Sequence, residues 1–286
     1  MAKITVKLFG VLRVDTHIAK VKNLTDLGDY ITLYAQWKPN SYSVTFNKNG
    51  ATAGSMKKLN CKYDASYALK ANKLKKKGYS FKEWNTKKDG TGTAYSDEAT
   101  IKNLTDMKNG KVTLYAQWEA NKYNAVFDGN GATAGTTAGM TNLAYGTEYN
   151  LITNGYTRTG YTFAGWNTKA NGKGKKYTEG AKFKNLTSVN GADVTLYATW
   201  KPIKYNISYN DNGASTKGKT IIHKNVKYDK NVKIKGNIFK KKGYVLDSWN
   251  TKPDGTGTTY KKDVKVNNLC SENGSTFTLY AVWKEK

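Results

Sequence analysis

The chain has 286 residues, 47 Lys+Arg against 21 Asp+Glu, a formal net charge of +26 and two cysteines. Its aromatic content, 13%, argues against intrinsic disorder, and two cysteines cannot staple a disulfide scaffold. No run approaches the roughly 18 consecutive apolar residues of a membrane span.

The opening residues, Met1 to Leu12, carry Lys7 inside their apolar stretch and no small-residue cleavage site, so they make a poor signal peptide. Within residues 1–40, Asn23-Leu24-Thr25 and Ile31-Thr32-Leu33-Tyr34-Ala35-Gln36-Trp37 match the endings of later segments. No Gly-Tyr-x-x-x-x-Trp precedes Trp37, so residues 1–40 read as the tail of a truncated repeat. The opening residues match nothing, and the lone strand is expected to be frayed or aberrantly paired. The chain as a whole is therefore expected to be a piece of a longer protein.

Three full units follow, at 41–119, 122–201 and 204–284. Each is built around a decamer: Gly78-Tyr79-Ser80-Phe81-Lys82-Glu83-Trp84-Asn85-Thr86-Lys87, then its copies beginning at Gly160 and Gly243. Self-similarity at this period marks a repeat architecture. A second tryptophan closes each unit at constant spacing, giving the pairs Trp84 and Trp118, Trp166 and Trp200, Trp249 and Trp283. Constant spacing favours core packing over ligand stacking, because one buried aromatic adds about 150–250 Å² to a small core. A tyrosine also stands 21 residues before each decamer tryptophan, at Tyr63, Tyr145 and Tyr228. Length varies only between these tyrosines and the unit starts, which places a surface loop there.

Within each unit the first strand alternates apolar and polar residues, as in Tyr42-Ser43-Val44-Thr45-Phe46, and meets an Asn-Gly-Ala turn. Asp89-Gly90-Thr91-Gly92, Asn171-Gly172-Lys173-Gly174 and Asp254-Gly255-Thr256-Gly257 are hairpin cues. The last strand sets Val112, Leu114, Ala116 and Trp118 on one face and Tyr115 on the other. Tyr115, Tyr197 and Tyr280 are thus expected at the surface or between modules. Helical periodicity is weak; Ala65 to Lys76 has room for one short helix. The linkers are very short, and Pro39 and Pro202 stiffen two of them, which suggests a string of modules.

The decamer, the Asp-Gly-Thr-Gly turn and the Leu-Tyr-Ala-x-Trp ending together resemble the internalin B-type B repeat. This Listeria–Bacteroides repeat recurs in bacterial surface proteins. The resemblance spans the three full units and the end of the first fragment. It implies mostly β (α+β) modules of β-grasp, ubiquitin-like fold in an elongated array, with a cell-surface or secreted location. It also implies an adhesin or stalk that is not an enzyme; the family offers no catalytic residues to transfer. The chain departs from it in being unusually Lys-rich and in showing no export or anchoring segment.

Residue chemistry agrees with a non-catalytic role. His17 and His223 stand outside the repeated positions, without a partner that recurs. The Asp128 and Asp89 loops lack the acidic ligands and terminal Glu of a calcium loop, so turns are expected and no metal or cofactor. Cys61 and Cys270 occupy non-equivalent positions and read as small apolar residues without a mutual disulfide. Charge is the feature with functional promise. Lys75, Lys76 and Lys77 stand just before the first decamer and Lys240, Lys241 and Lys242 before the third, with Arg158 in the middle copy. These residues are candidates for binding an anionic polymer, either wall teichoic acid or host glycosaminoglycan; a host surface protein is a further candidate partner. A Lys-rich coat serving only solubility, on a passive spacer, is the bland alternative. Nucleic acid is disfavoured by scarce arginine and core-spaced aromatics. A monomer is expected.

Overall fold

The structure, a computed structural model, describes residues 37–215 and 218–286. Before them it gives the backbone of four short strands, with Lys3–Val6 antiparallel to Ile31–Tyr34 and Leu12–Val14 antiparallel to His17–Ala19. The rest of residues 1–36, on which the truncated-repeat expectation and His17's side chain fall, lies outside the described residues.

Each module is a five-stranded mixed sheet. In the first, the order across the sheet is Leu59–Lys62, Ser41–Asn47, Gly110–Ala120, Tyr79–Asn85, Ala94–Tyr95. The opening and terminal strands lie side by side at the centre and run parallel, Val44 opposite Val112 and Phe46 opposite Leu114. The same order recurs around the parallel pairs Lys122–Asp128 with Asp193–Pro202, and Lys204–Asn210 with Thr276–Glu285. A parallel pair needs a long crossover; here nearly the whole module makes it. Short two-stranded ribbons lie outside the sheet, Ser66–Ala68 with Thr100–Lys102 in the first module and its equivalents in the others.

One face of each sheet is buried, as the period-2 pattern of its central strands dictates. In the first module Tyr42, Val44, Leu114 and Ala116 from the sheet meet Leu69, Leu74 and Ile101 around Trp84. Trp84, Trp166 and Trp249 have no exposed surface. Each decamer tryptophan packs on an aromatic of the opening strand, Phe46 at 4.7 Å, Phe127 at 4.7 Å and Tyr209 at 4.9 Å between ring centroids. Trp118, Trp200 and Trp283 are half-buried against the same cores. Each donates its indole N–H to a carbonyl after the opening strand, those of Lys48, Gly129 and Asp211. Trp37 is 75% exposed.

Among the described residues there is no helix, which corrects the α+β, β-grasp and ubiquitin-like expectation to an all-β repeat. The segment with room for a helix, Ala65 to Lys76, is extended instead. Its inward residues recur every second position, with Tyr67 half-buried and Leu69 buried, the spacing of a strand. The Tyr67 hydroxyl accepts the Lys62 N–H at 3.0 Å, and Leu74 is buried as the chain then pairs with Ala53. Length variation is absorbed by the second strand of the sheet, which grows from Leu59–Lys62 to Met140–Ala144 and Thr220–Lys227.

By packing, the chain divides into two units: Met1–Lys76 with Phe81–Glu119, and Lys77–Ser80 with Ala120–Lys286.

Candidate functional site

The decamer strand is not a regular strand. Phe163 pairs with Trp200 and Gly165 with Thr199, so one residue bulges between them, and the third module repeats the irregularity between Leu246 and Ser248. Phe163 and Trp166 are three apart and would point to opposite faces of a straight strand. The bulge returns both to the core face, 5.0 Å apart. The strand then ends on a buried asparagine. Asn167, 0% exposed, accepts the N–H of Lys169 and of Gly174, both at 2.9 Å, and donates to the carbonyls of Gly172 and Gly174. Asn85 and Asn250 make the same four bonds. A methyl on Gly174 would overlap the Thr168 hydroxyl and stand 2.7 Å from Asn167 Oδ1. The recurrent Asn-Thr-Lys and the final glycine of the turn are therefore one hydrogen-bonded knot. A second asparagine, Asn130, at φ 46°, ties this knot to the terminal strand by donating to Ala170 and Ala198 carbonyls.

At the other end of the decamer strand the candidate basic residues divide by role. Arg158 is committed to a joint between the second and third modules. Its guanidinium lies 4.0 Å from the centroid of the Tyr161 ring. Tyr228 meets Tyr161 edge-on at 5.8 Å, and its ring covers Gly160. The Tyr161 hydroxyl donates to the Asp229 carboxylate. That bond, then Asn268 and the nearby Arg158, holds the Asp229 carboxyl below the usual carboxylate range, and the same contact pushes the Tyr161 phenol up. Backbone bonds complete the joint, Ile203 N–H to the Gly160 carbonyl at 3.0 Å and Tyr228 N–H to the Ile203 carbonyl at 3.1 Å. Within the same unit Tyr145 seats on Gly78 and meets Tyr79 at 5.8 Å. The tyrosine placed 21 residues before each decamer tryptophan is thus a joint residue at two of its three positions.

Lys75 and Lys77 are exposed and Lys76 is half-buried; the carbonyl of Lys75 is held by the N–H groups of Thr52 and Ala53. Lys240, Lys241 and Lys242 do share a concavity, a groove of about 680 Å³ also lined by Lys262, Lys286, Tyr244 and Trp283. Lys241 Nζ stands 4.5 Å from the Tyr244 ring centroid, and Lys262 Nζ donates to the Leu246 carbonyl at 3.0 Å. Lys262 and Lys286 lie outside the lysine triplets, Lys262 paired only with Lys261. The signal was in the register: thirteen residues after the decamer tryptophan the first two modules have Asp97 and Glu179.

Among the described residues no group of three or more His, Cys, Asp or Glu side chains could hold a metal ion. Asp89 and Asp254 instead accept the N–H and hydroxyl of the threonine two residues on, which keeps both carboxyls below their ordinary range. Cys61 is buried in the first core and Cys270 is half-buried, and both are free thiols. Burial pushes the Cys61 thiol up, away from the reactive thiolate. His223 lies on the strand Thr220–Lys227 of the third module, opposite Ile207. No helix among the described residues is long and apolar enough to cross a membrane.

An all-β unit repeated three times, each copy knotted by a buried asparagine, defines a structural repeat module. The profile of the Listeria-Bacteroides repeat domain matches residues 42–117, 123–199 and 205–282, and the chain belongs to that family, whose repeats occur in bacterial surface proteins. Two relatives come from Evansella cellulosilytica. A putative Gly-rich membrane protein is 38% identical over 50% of this chain and 16% of its own length. A putative membrane protein is 29% identical over 88% of this chain and 34% of its own. The chain therefore spans only about a third of the second relative's length and less of the first's. Among solved structures, the Bacillus anthracis TIE protein aligns over 90% of this chain and 54% of its own, with 14% identity and a TM-score of 0.33.

Proposed function

We propose that these modules form a stalk or spacer segment of a bacterial cell-surface protein and that their basic surface makes adhesive contact with an anionic polymer, wall teichoic acid or a host glycosaminoglycan. The observation that carries this reading is the convergence of Lys240, Lys241, Lys242, Lys262 and Lys286 on one groove of a chain with net charge +26. Cations gathered in a concavity focus their field and raise the local concentration of anions, whereas scattered lysines are screened beyond about 8 Å at physiological salt. The modules suit a spacer because short joints, closed by backbone bonds and tyrosine contacts, limit swing within the second unit.

A passive spacer is the second reading, favoured by Arg158, which is spent on the joint. Retention of the full chain on immobilised heparin and on purified wall polymer, in a salt series, separates the two. The proposal expects binding at low salt that weakens steadily as salt rises. Flow-through at low salt would leave the spacer alone.

A further inference from the structure

The tyrosine of each Leu-Tyr-Ala-x-Trp ending serves neither the cores nor the joints. Tyr115, Tyr197 and Tyr280 stand half-buried on the outer face of the terminal strand, outside the three core clusters. Among the described residues none of the three makes a side-chain hydrogen bond or an aromatic contact. The outer face does not itself demand a tyrosine, because two positions further along it carries Gln117, Thr199 and Val282 in turn.

Tyr115 lines a groove of about 560 Å³ with Asn49, Thr86, Lys87, Lys88 and Asp89, a size within the roughly 300–1,000 Å³ of small-molecule sites. The asparagine knot frames it. Asn49 donates to the carbonyls of Lys88 and Ala116 at 3.0 and 2.8 Å, and the Thr86 hydroxyl accepts the Thr93 N–H at 2.9 Å. The frame recurs around Asn130 and Thr168 in the second module and around Asn212 and Thr251 in the third. Tyr197 pairs with Asn167 and Tyr280 with Asn250, so each copy sets the tyrosine beside the knot. Lys87, Lys169 and Lys252 close the three decamers, all exposed, and none forms a salt bridge or side-chain hydrogen bond among the described residues.

We infer that this groove binds a neutral pyranose residue of a glycan chain, once per module. The tyrosine offers a flat apolar surface to the C–H face of a sugar ring. The lysine ammonium donates to ring hydroxyls, and the threonine hydroxyl, which accepts from the backbone, keeps its own proton to donate. Asp89 and Asp254 supply an acceptor at the rim, where the second module has the amide of Asn171. Charge is what the copies do not share: Lys87 and Lys88 stand with Asp89, Lys169 stands alone, and Lys252 stands with Asp254. A polyanion site would keep its cations and shed those carboxylates. An added peptide strand finds no free edge, because the terminal strand is paired on both sides. One shallow site binds weakly, and three copies in a chain add on a polymer that repeats the same sugar. The inference stands apart from the lysine groove of the third module.

The test is protein-observed NMR of the full chain titrated with cellotetraose, with chitotetraose, and with sorbitol as a ringless polyol at equal hydroxyl concentration. The inference expects saturable shifts at Tyr115, Tyr197 and Tyr280 and at the amides of Lys87, Lys169 and Lys252 with at least one oligosaccharide, and none with sorbitol. Both sugars present rings with equatorial substituents; tighter binding of chitotetraose would identify an acetamido sugar, as in bacterial wall glycan, and tighter binding of cellotetraose a plain hexose, either in support. Tyr115→Thr keeps a strand-forming residue and should weaken binding in the first module about three- to tenfold, the scale of one aromatic contact. Tyr197 and Tyr280 should respond as before. Tyr115→Phe should retain binding, and Lys87→Met, at an exposed position, should weaken it with an unchanged melting curve. Absence of shifts at the three tyrosines, shifts confined to other surfaces, or equal shifts with sorbitol would overturn the inference. Heparin retention should survive Tyr115→Thr, so that the polyanion reading and this one succeed or fail separately; its loss in that variant would show the groove to serve the polyanion instead.

Discussion

Replacing Asn167 by alanine tests whether the asparagine knot holds each module. The side chain is 0% exposed and makes four hydrogen bonds, accepting from Lys169 and Gly174 and donating to Gly172 and Gly174. Alanine leaves two N–H groups without their acceptor in a part-buried turn. Each such loss costs about 1–3 kcal/mol, and the two carbonyls, which retain access to solvent, add little. A total of about 2–6 kcal/mol is therefore expected. A module of about 80 residues has a stability of roughly 4–12 kcal/mol, so the substitution removes a large share of it. Native-state hydrogen exchange read by mass spectrometry resolves the modules separately. Amides of Tyr161–Asn167 and Asp193–Pro202 should lose protection, whereas those of the first module keep theirs. Asn167→Asp should do little better, since its carboxylate would face the same two carbonyls. A stability change within about 0.5 kcal/mol, the range of an ordinary surface substitution, would refute the knot as a source of stability.

The remaining predictions concern the turn, the core and the joint. Gly174→Ala should cost about 1–3 kcal/mol in urea unfolding, because its methyl meets Asn167 Oδ1 and the Thr168 hydroxyl; a neutral outcome would mean that the turn yields freely. Trp166→Ala should cost about 3–5 kcal/mol and unfold the second module, as judged by denaturant titration, whereas a surface tryptophan would change stability by a few tenths. The Asp229 carboxyl is held below its ordinary range chiefly by the Tyr161 hydroxyl. Its contribution to the joint is therefore present above the ordinary carboxylate pKa and is lost as pH falls through the depressed value. Tyr161→Phe should raise the Asp229 pKa in a carbon-13 titration, and an unmoved pKa would show that the hydroxyl contact is not formed in solution.

Much of the architecture was legible because the sequence repeats itself. Constant intervals around Trp84, Trp166 and Trp249 marked the residues that the structure places at zero exposure. Strand alternation was also plain, since central strands with one buried face show it directly. The bulge was hidden: the three-residue spacing of Phe163 and Trp166 suits no regular strand and acquires its meaning only from the register of the neighbouring strand. The burial of Asn85, Asn167 and Asn250 was hidden too, because a polar Asn-Thr-Lys triplet does not announce that its first member is buried. The helix suggested by Ala65 to Lys76 failed because composition there is permissive and the pairing of Ser66–Ala68 with Thr100–Lys102 is non-local.

The candidate site was half legible for a related reason. The run Lys240-Lys241-Lys242 is plain in the sequence, but the residues that share its groove are not. Convergence depends on residues far apart in sequence, and Lys262 and Lys286 join the groove through the fold. Arg158 shows the converse, a cation aligned with the lysine runs that the tyrosine joint has taken over.

The central claim is that the lysines of the third module's groove touch an anionic polymer. Acetylation of the full chain by a limiting amine-reactive reagent, with and without heparin or wall polymer, and read lysine by lysine by mass spectrometry, tests it most directly. The account predicts that Lys240, Lys242 and Lys262 lose reactivity when polymer is bound, while Lys57, Lys102 and Lys111 on the first module keep theirs. Uniform reactivity at every lysine, with polymer retained or not, would contradict it.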